Sequence, residues 1–240
     1  MRFTEDGEII ECMMDVGPVN ALSRADIQSL DVAISQSENN PQARILVFKS
    51  HKISPHQHPI FCAGANQKER IDWSRGEILE HLAFQRSVIH RLRTTRLCTI
   101  CCVDGLALGL GVEMCLAADF VMATENSRFA FPEKNWGIIP GAGGWAWAHG
   151  WAKHPEQSLQ WIKTGECIDR EHAQWLGVVD VLCDEEDFDP EIHELLDSLR
   201  QMSIEAQLTT KKRIHEKIDY KFYFEQEQAA YAEALSLKKS

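Results

Sequence analysis

The order of apolar and polar positions divides the chain into two parts. Through the first two-thirds, short apolar runs alternate with amphipathic stretches. Residues 8–14 read as a first strand, followed by a turn at Pro18-Val19-Asn20. Ser23 then opens a helix whose apolar side includes Ile27, Leu30 and Ile34, at three- and four-residue spacing. Ile45-Leu46-Val47-Phe48 is uninterrupted, which predicts a buried strand within 44–49. Residues 61–64 lead into a turn and a helix near Gln67. Ile78, Leu82, Val88, Ile89 and Leu92 predict a long helix over 78–92. Strands are predicted at 99–103, 120–123 and 128–131, with a helical segment at 111–118. Beyond Gly144 the pattern is mainly helical, at 155–163, 170–176, 191–202, 206–217 and 222–237. The last of these has no evident partner. This order predicts an α/β core over 1–185 and a C-terminal helical region over 186–240.

Composition narrows the function classes. The 240 residues are enough for one domain with its own core, and 44% apolar with 25% charged residues is ordinary for a globular chain. The net charge of −11 argues against nucleic acid and anionic membranes as partners. By the same argument, an anionic small substrate requires a local basic pocket. No apolar run approaches the roughly 20 residues that span a bilayer. The eight cysteines fall mostly in apolar runs and no secretory leader is read before them, so free thiols and a cytoplasmic location are expected. His51, His56 and His58 share a polar segment without a Cys or carboxylate pattern. It is read as a surface loop, and no metal site is expected.

Three glycine-containing turns stand where strand-like runs give way to helices or loops: Cys62-Ala63-Gly64-Ala65-Asn66, Gly109-Leu110-Gly111-Val112-Glu113 and Ile139-Pro140-Gly141-Ala142-Gly143-Gly144. Two N–H groups from different turns can converge on one oxygen and stabilise a thioester carbonyl as it becomes an enolate. On spacing alone, ordinary strand-to-helix turns are the favoured reading, since such turns are common in α/β proteins. Glu113 sits inside an otherwise apolar helical segment. It is either a solvated surface group or a buried carboxylate with a raised pKa, suited to proton transfer. Glu133 borders a second apolar stretch. Two carboxylates on one pocket can share a water, one as base and the other as acid.

The longer blocks around these turns resemble the crotonase, or enoyl-CoA hydratase/isomerase, superfamily. Residues 61–69 are similar to its first oxyanion turn, 103–119 to its second, and 129–144 to its third block. Asn20-Ala21-Leu22-Ser23 is similar to the segment opening the first helix. The resemblance runs through nearly the whole chain in order. It implies an α/β fold of repeated ββα units with a C-terminal helical region. It also implies backbone N–H groups of Ala65 and Leu110 as the oxyanion hole, with Leu110 standing where many hydratases have glycine. Glu113 and Glu133 fall on the two catalytic glutamates. Gly141 falls on a glycine lining that site, and Ala63, Gly64 and Lys68 border the coenzyme A portion of the substrate. For Lys68, an exposed helix lysine is the other reading.

Isomerases of the superfamily commonly keep only the later glutamate, so retention of both favours hydration of a 2-enoyl thioester. Isomerisation, decarboxylation or hydrolysis of an acyl-CoA or acyl-carrier-protein thioester are the alternatives on the same scaffold, and a non-catalytic binding member is a further one. The resemblance implies no permanently bound cofactor, with coenzyme A entering as part of the substrate, and a homo-oligomer, a trimer or dimer of trimers. Two departures stand out. Trp145-Ala146-Trp147 replaces the usual polar continuation, with Trp136 and Trp151 nearby, either as packing and subunit contacts or as bulk in the acyl pocket. The terminal helical region reads as shorter than usual, which leaves room for a carrier-bound substrate.

Overall fold

A computed structural model describes residues 1–237. In chain order the elements are β1 (Arg2–Asp6), β2 (Ile9–Met13), β3 (Ala21–Leu22), α1 (Arg24–Asn39), β4 (Ile45–Lys49), β5 (Lys52–Ile53), β6 (Pro59–Cys62), β7 (Gly64–Ala65), α2 (Arg75–Thr94), β8 (Cys98–Val103), β9 (Leu106–Leu108), α3 (Leu110–Ala117), β10 (Phe120–Ala123) and β11 (Arg128–Ala130). They continue with α4 (Gly144–Gly150), α5 (Pro155–Thr164), β12 (Ile168–Asp169), α6 (Arg170–Leu176), β13 (Val181–Leu182), α7 (Phe188–Gln201), α8 (Ile204–His215) and α9 (Tyr220–Leu237). Short 3-10 turns lie at Gln67–Arg70 and Pro132–Trp136.

One sheet has the order β1-β2-β4-β8-β10-β13, parallel from β2 onward, with β1 antiparallel at its edge. A second runs β12-β11-β9-β6-β5, and a short parallel pair joins β3 to β7. The first sheet is covered on both faces, which explains why β4 and β8 read as unbroken apolar runs. Ile45, Val47, Cys98 and Ile100 pack toward Ile192, Leu196 and Leu199 of α7. The alternate residues Leu46, Phe48, Cys101 and Val103 join the larger core with α1, α2 and α3. All eight cysteines are free thiols, seven of them buried. Among the described residues, no helix is long and apolar enough to cross a membrane.

Helix starts follow local chemistry. Ser23 with Asp26 opens α1, and Ser74 with Glu77 opens α2, each as a reciprocal capping box. The α2 start therefore lies three residues before its first apolar position. Several elements escape the apolar pattern. β1 is Arg-Phe-Thr-Glu-Asp, an exposed edge. β9 lies between Gly105 and Gly109. α4 is Gly-Trp-Ala-Trp-Ala-His-Gly, with glycine at both ends. The tryptophans divide by role: Trp147 is buried in the core, Trp151 stands edge-on to Tyr220 and Tyr223, and Trp145 stacks on His149.

The final helix has its partner in the core itself. α9 packs on α2 and α4, burying Glu227 and Tyr231, and Arg75 of α2 donates to the Ala232 carbonyl at 3.0 Å.

The β3–β7 pair is anchored by Asn20, which is fully buried with φ +52°. Its Oδ1 accepts from the Val16 N–H at 2.7 Å. Its Nδ2 lies 2.9 Å from Ser50 Oγ and 3.0 Å from the Phe61 carbonyl. Asparagine tolerates this left-handed backbone and satisfies three separated segments at once. Asn20→Ala is expected to lower stability by about 3 kcal/mol, because it strands buried polar groups on all three. A urea titration checks this; a midpoint unchanged from wild type would refute the anchoring role.

Candidate active site

Glu113 lies in the first turn of α3, whose other residues are all buried. Its own exposure is 3%. Gly109, with φ +51°, precedes α3 and lets the chain turn sharply from β9 into the helix. A Cβ at Gly109 would lie 2.5 Å from Glu133 Oε1, so glycine is what admits the second glutamate. Glu133 comes from the Pro132–Trp136 turn, and its Oε2 is buried without a hydrogen-bond partner among the described residues.

The two carboxyl groups flank one cavity of about 20 Å³, also lined by Ala65, Leu110, Gln85 and Gly141. That is room for one water molecule, which needs roughly 10–15 Å³. Leu110 is the first residue of α3, so no carbonyl of its own helix lies four residues behind it to accept its N–H. Gly64 permits the close approach of the two turns. A Cβ there would meet the Leu108 carbonyl oxygen at 2.7 Å and the Leu110 nitrogen at 3.4 Å.

Both glutamates are pushed toward neutrality. Burial is the main cause for Glu113. The neighbouring charges of Glu227 and Glu133 add to it, and the N–H donors of Gly144 and Ala142 oppose it; the result is about 8. Burial pushes Glu133 up to about 7. Carboxyl groups raised into this range can both give and take a proton near neutral pH.

A third glutamate holds the site in place. Glu113 Oε1 accepts from the N–H groups of Ala142 at 2.7 Å and Gly144 at 2.9 Å. From the other side, Glu227 of α9 accepts from Gly143 at 3.1 Å and Ala146 at 3.0 Å. Glu227 is also paired with Arg86 of α2 at 2.7 Å. The glycine-rich turn entering α4 is thus gripped by two carboxylates through alternate N–H groups. Tyr231, one turn further along α9, lines the cavity.

Ala65, Leu110, Glu113, Glu133 and Gly141, all singled out in the sequence, meet at this cavity. Gly64 stands behind it as a spacer. Ala63 is not in its wall, and its N–H donates to the Val19 carbonyl at 3.2 Å. Lys68 is exposed outside the wall. Sequence reasoning passed over Arg70, Gln85, Glu227 and Tyr231. Glu227 carried a usable signal, an acid whose helical neighbours at three and four residues, Phe224 and Tyr231, are aromatic. Among the described residues no three His, Cys, Asp or Glu side chains are grouped to hold a metal ion.

The sequence profile of the enoyl-CoA hydratase/isomerase family matches residues 4–238, and the chain belongs to that family. Over 170 residues it is 34% identical to an enoyl-CoA isomerase/hydratase of Mycosarcoma maydis, covering 67% of this chain and 60% of that protein. Over 141 residues it is 36% identical to a probable mitochondrial enoyl-CoA hydratase of Arabidopsis thaliana, covering 58% of this chain and 45% of the relative. The match therefore spans about half the length of these relatives. A solved structure of an enoyl-CoA hydratase from Bacillus anthracis shares the fold, with a TM-score of 0.82 over 99% of this chain and 91% of that one, at 22% identity.

Two predictions follow from the buried acids. The folded state holds protons on Glu113 and Glu133 that the unfolded chain releases near pH 4–5. Stability contributed by these groups therefore falls as pH rises from about 5 to 8. Glu113→Gln keeps an oxygen acceptor for Ala142 and Gly144 but carries no charge. It is expected to match wild type at pH 5 and exceed it by about 2 kcal/mol at pH 8.5. Calorimetric melting at both pH values checks this, and an advantage that shrinks with rising pH would overturn it. Glu227→Ala leaves Arg86 buried without its counter-charge and should cost about 3 kcal/mol, read from denaturant midpoints.

Proposed function

We propose that the chain hydrates a 2-enoyl thioester, carried by coenzyme A or an acyl carrier. The observation that carries this reading is the pair of raised-pKa glutamates facing one water-sized cavity beside two converging turns. The Ala65 and Leu110 N–H groups hold the thioester oxygen as it gains negative charge. The ionised member of the glutamate pair takes a proton from water as the water oxygen bonds to C3. The C2–C3 π electrons pass toward the thioester oxygen, giving an enolate. The protonated member then delivers its proton to C2, so the pair ends with one proton, as it began.

The same machinery shifts a double bond if one carboxyl group removes and returns a proton with no water placed. The retention of two buried carboxyl groups around space for a water favours hydration. Leu110 supplies a backbone N–H as well as any residue, and its buried side chain packs into the core, away from solvent. Oligomerisation into a trimer or dimer of trimers belongs to the same proposal, as does a cytoplasmic setting.

Glu113→Gln and Glu133→Gln are each expected to lower kcat by at least about 100-fold, since each removes one proton carrier. Mass spectrometry of a 2-enoyl-CoA panel reads the gain of one water, which isomerisation does not produce. Wild-type activity should be bell-shaped in pH, failing at pH 5.5 where both groups hold protons and at pH 9.5 where neither does. A glutamine variant with most of its activity would remove that residue from the mechanism.

A further inference from the structure

Beyond the glutamates a larger cavity of about 290 Å³ opens toward solvent between the start of α2, the segment around Ile138, and α9. It shares Gln67, Arg70, Ile138 and Tyr231 with the inner cavity, so the two adjoin through these side chains. Its wall carries two arginines, Arg70 and Arg75, and no acidic side chain. On a chain of net charge −11 that is a local reversal of sign.

Arg70 is the decisive group. It is 7% exposed, and its Nη2 donates to Gln85 Oε1 at 2.8 Å. Its Nε is buried without an acceptor among the described residues. No carboxylate of the described residues lies within 4.0 Å of its guanidinium; the Tyr231 side chain is its principal polar neighbour, and the charges of Glu69 and Glu113 act on it from further away. Arg86, one helical stretch away, shows the contrast, because Glu227 neutralises it. A buried guanidinium with an unused donor is costly unless something else supplies the anion, and its planar fork matches a carboxylate. The rest of the wall is apolar and aromatic, with Ile71, Trp73, Ile78 and Trp136, which suits methylenes rather than a second charge.

On the hydration reading, with the thioester oxygen at Ala65 and Leu110 and C2–C3 at the glutamates, the adjoining outer cavity would take the acyl chain beyond C3. We propose that Arg70 is a specificity residue that receives an anionic group at the far end of the acyl chain. The preferred substrate is then a short 2-enoyl thioester ending in a carboxylate. The inference rests on the hydration reading for the placement of the thioester.

The test uses saturated CoA esters that cannot react. Isothermal titration compares glutaryl-CoA, five carbons ending in a carboxylate, with neutral pentanoyl-CoA. Wild type is expected to bind the carboxylate ester about tenfold more tightly, the worth of one charge-assisted contact. In Arg70→Met that ratio should fall to near one, and Arg70→Lys should keep part of it by charge without the fork. Equal binding by wild type, no binding of either ester, or a ratio unchanged in Arg70→Met would each overturn the proposal. The wild-type ratio decides even if a variant fails to fold. Turnover of the matching 2-enoyl esters is measured alongside. Hydration of both without preference would remove Arg70's role and leave the hydratase reading. Preferential binding without hydration of either would do the reverse.

Discussion

The site depends on how the turn between Pro140 and α4 is held. A glycine-rich turn has little intrinsic preference for one shape, and a short helix beginning with glycine has no side chain to cap it. Here two carboxylates from distant helices do that work. Glu113 takes the N–H groups of Ala142 and Gly144, and Glu227 takes those of Gly143 and Ala146. Successive N–H groups point to opposite sides, so the turn cannot rotate without losing bonds on both. Its position fixes Gly141, and any Cβ there would strike Leu82 and Tyr231 at 2.8–2.9 Å. The wall of the cavity, the direction of Glu113 and the seating of α9 are consequences of one hydrogen-bond arrangement.

That arrangement concentrates negative charge. Glu113, Glu133 and Glu227 lie close enough for the first to feel the charge of both others. Arg86 answers only Glu227, directly and at 2.7 Å. Among the described residues Glu113 and Glu133 have no ion pair, so no paired cation offsets the burial that raises both of them toward neutral pH. Were Arg86 beside Glu113 instead, the carboxylate would stay ionised and could not donate. Stability lost to burying unpaired acids is thus tied to the proton chemistry they can perform.

Much of the frame was legible in the sequence because burial wrote it in apolar runs. Both-sided burial of β4 and β8 gave continuous stretches, and α1 showed its helical spacing behind a Ser cap. Glu113 was legible as an acid inside an apolar helix, and the three turns as glycines at strand ends. What stayed hidden was set by tertiary contact. β1 has too few apolar residues to announce an edge strand. α4 has glycine at both termini and gains its stability from carboxylates far along the chain. Arg70 looks like an ordinary surface charge in Lys68-Glu69-Arg70, since no local pattern tells which of several neighbouring charges turns inward, and Glu227 in Glu225-Gln226-Glu227-Gln228 is set apart only by the aromatic residues on its helical face.

The last helix shows why that limit matters for function. Read alone, 222–237 is an amphipathic segment in search of a partner. In the fold it supplies Glu227 to the turn and Tyr231 to the wall of the candidate cavity. A helix placed this way shapes the outer cavity as well, through Tyr231 and Leu235 opposite Arg70. The glutamates proposed to carry protons come from the core, where burial raises their pKa. The residues that shape what enters come from the 3-10 turn, the start of α2 and α9, near the surface. If the hydration proposal holds, changes in those outer segments would redirect which acyl chain is accepted while Glu113, fixed from behind by the turn, keeps its geometry.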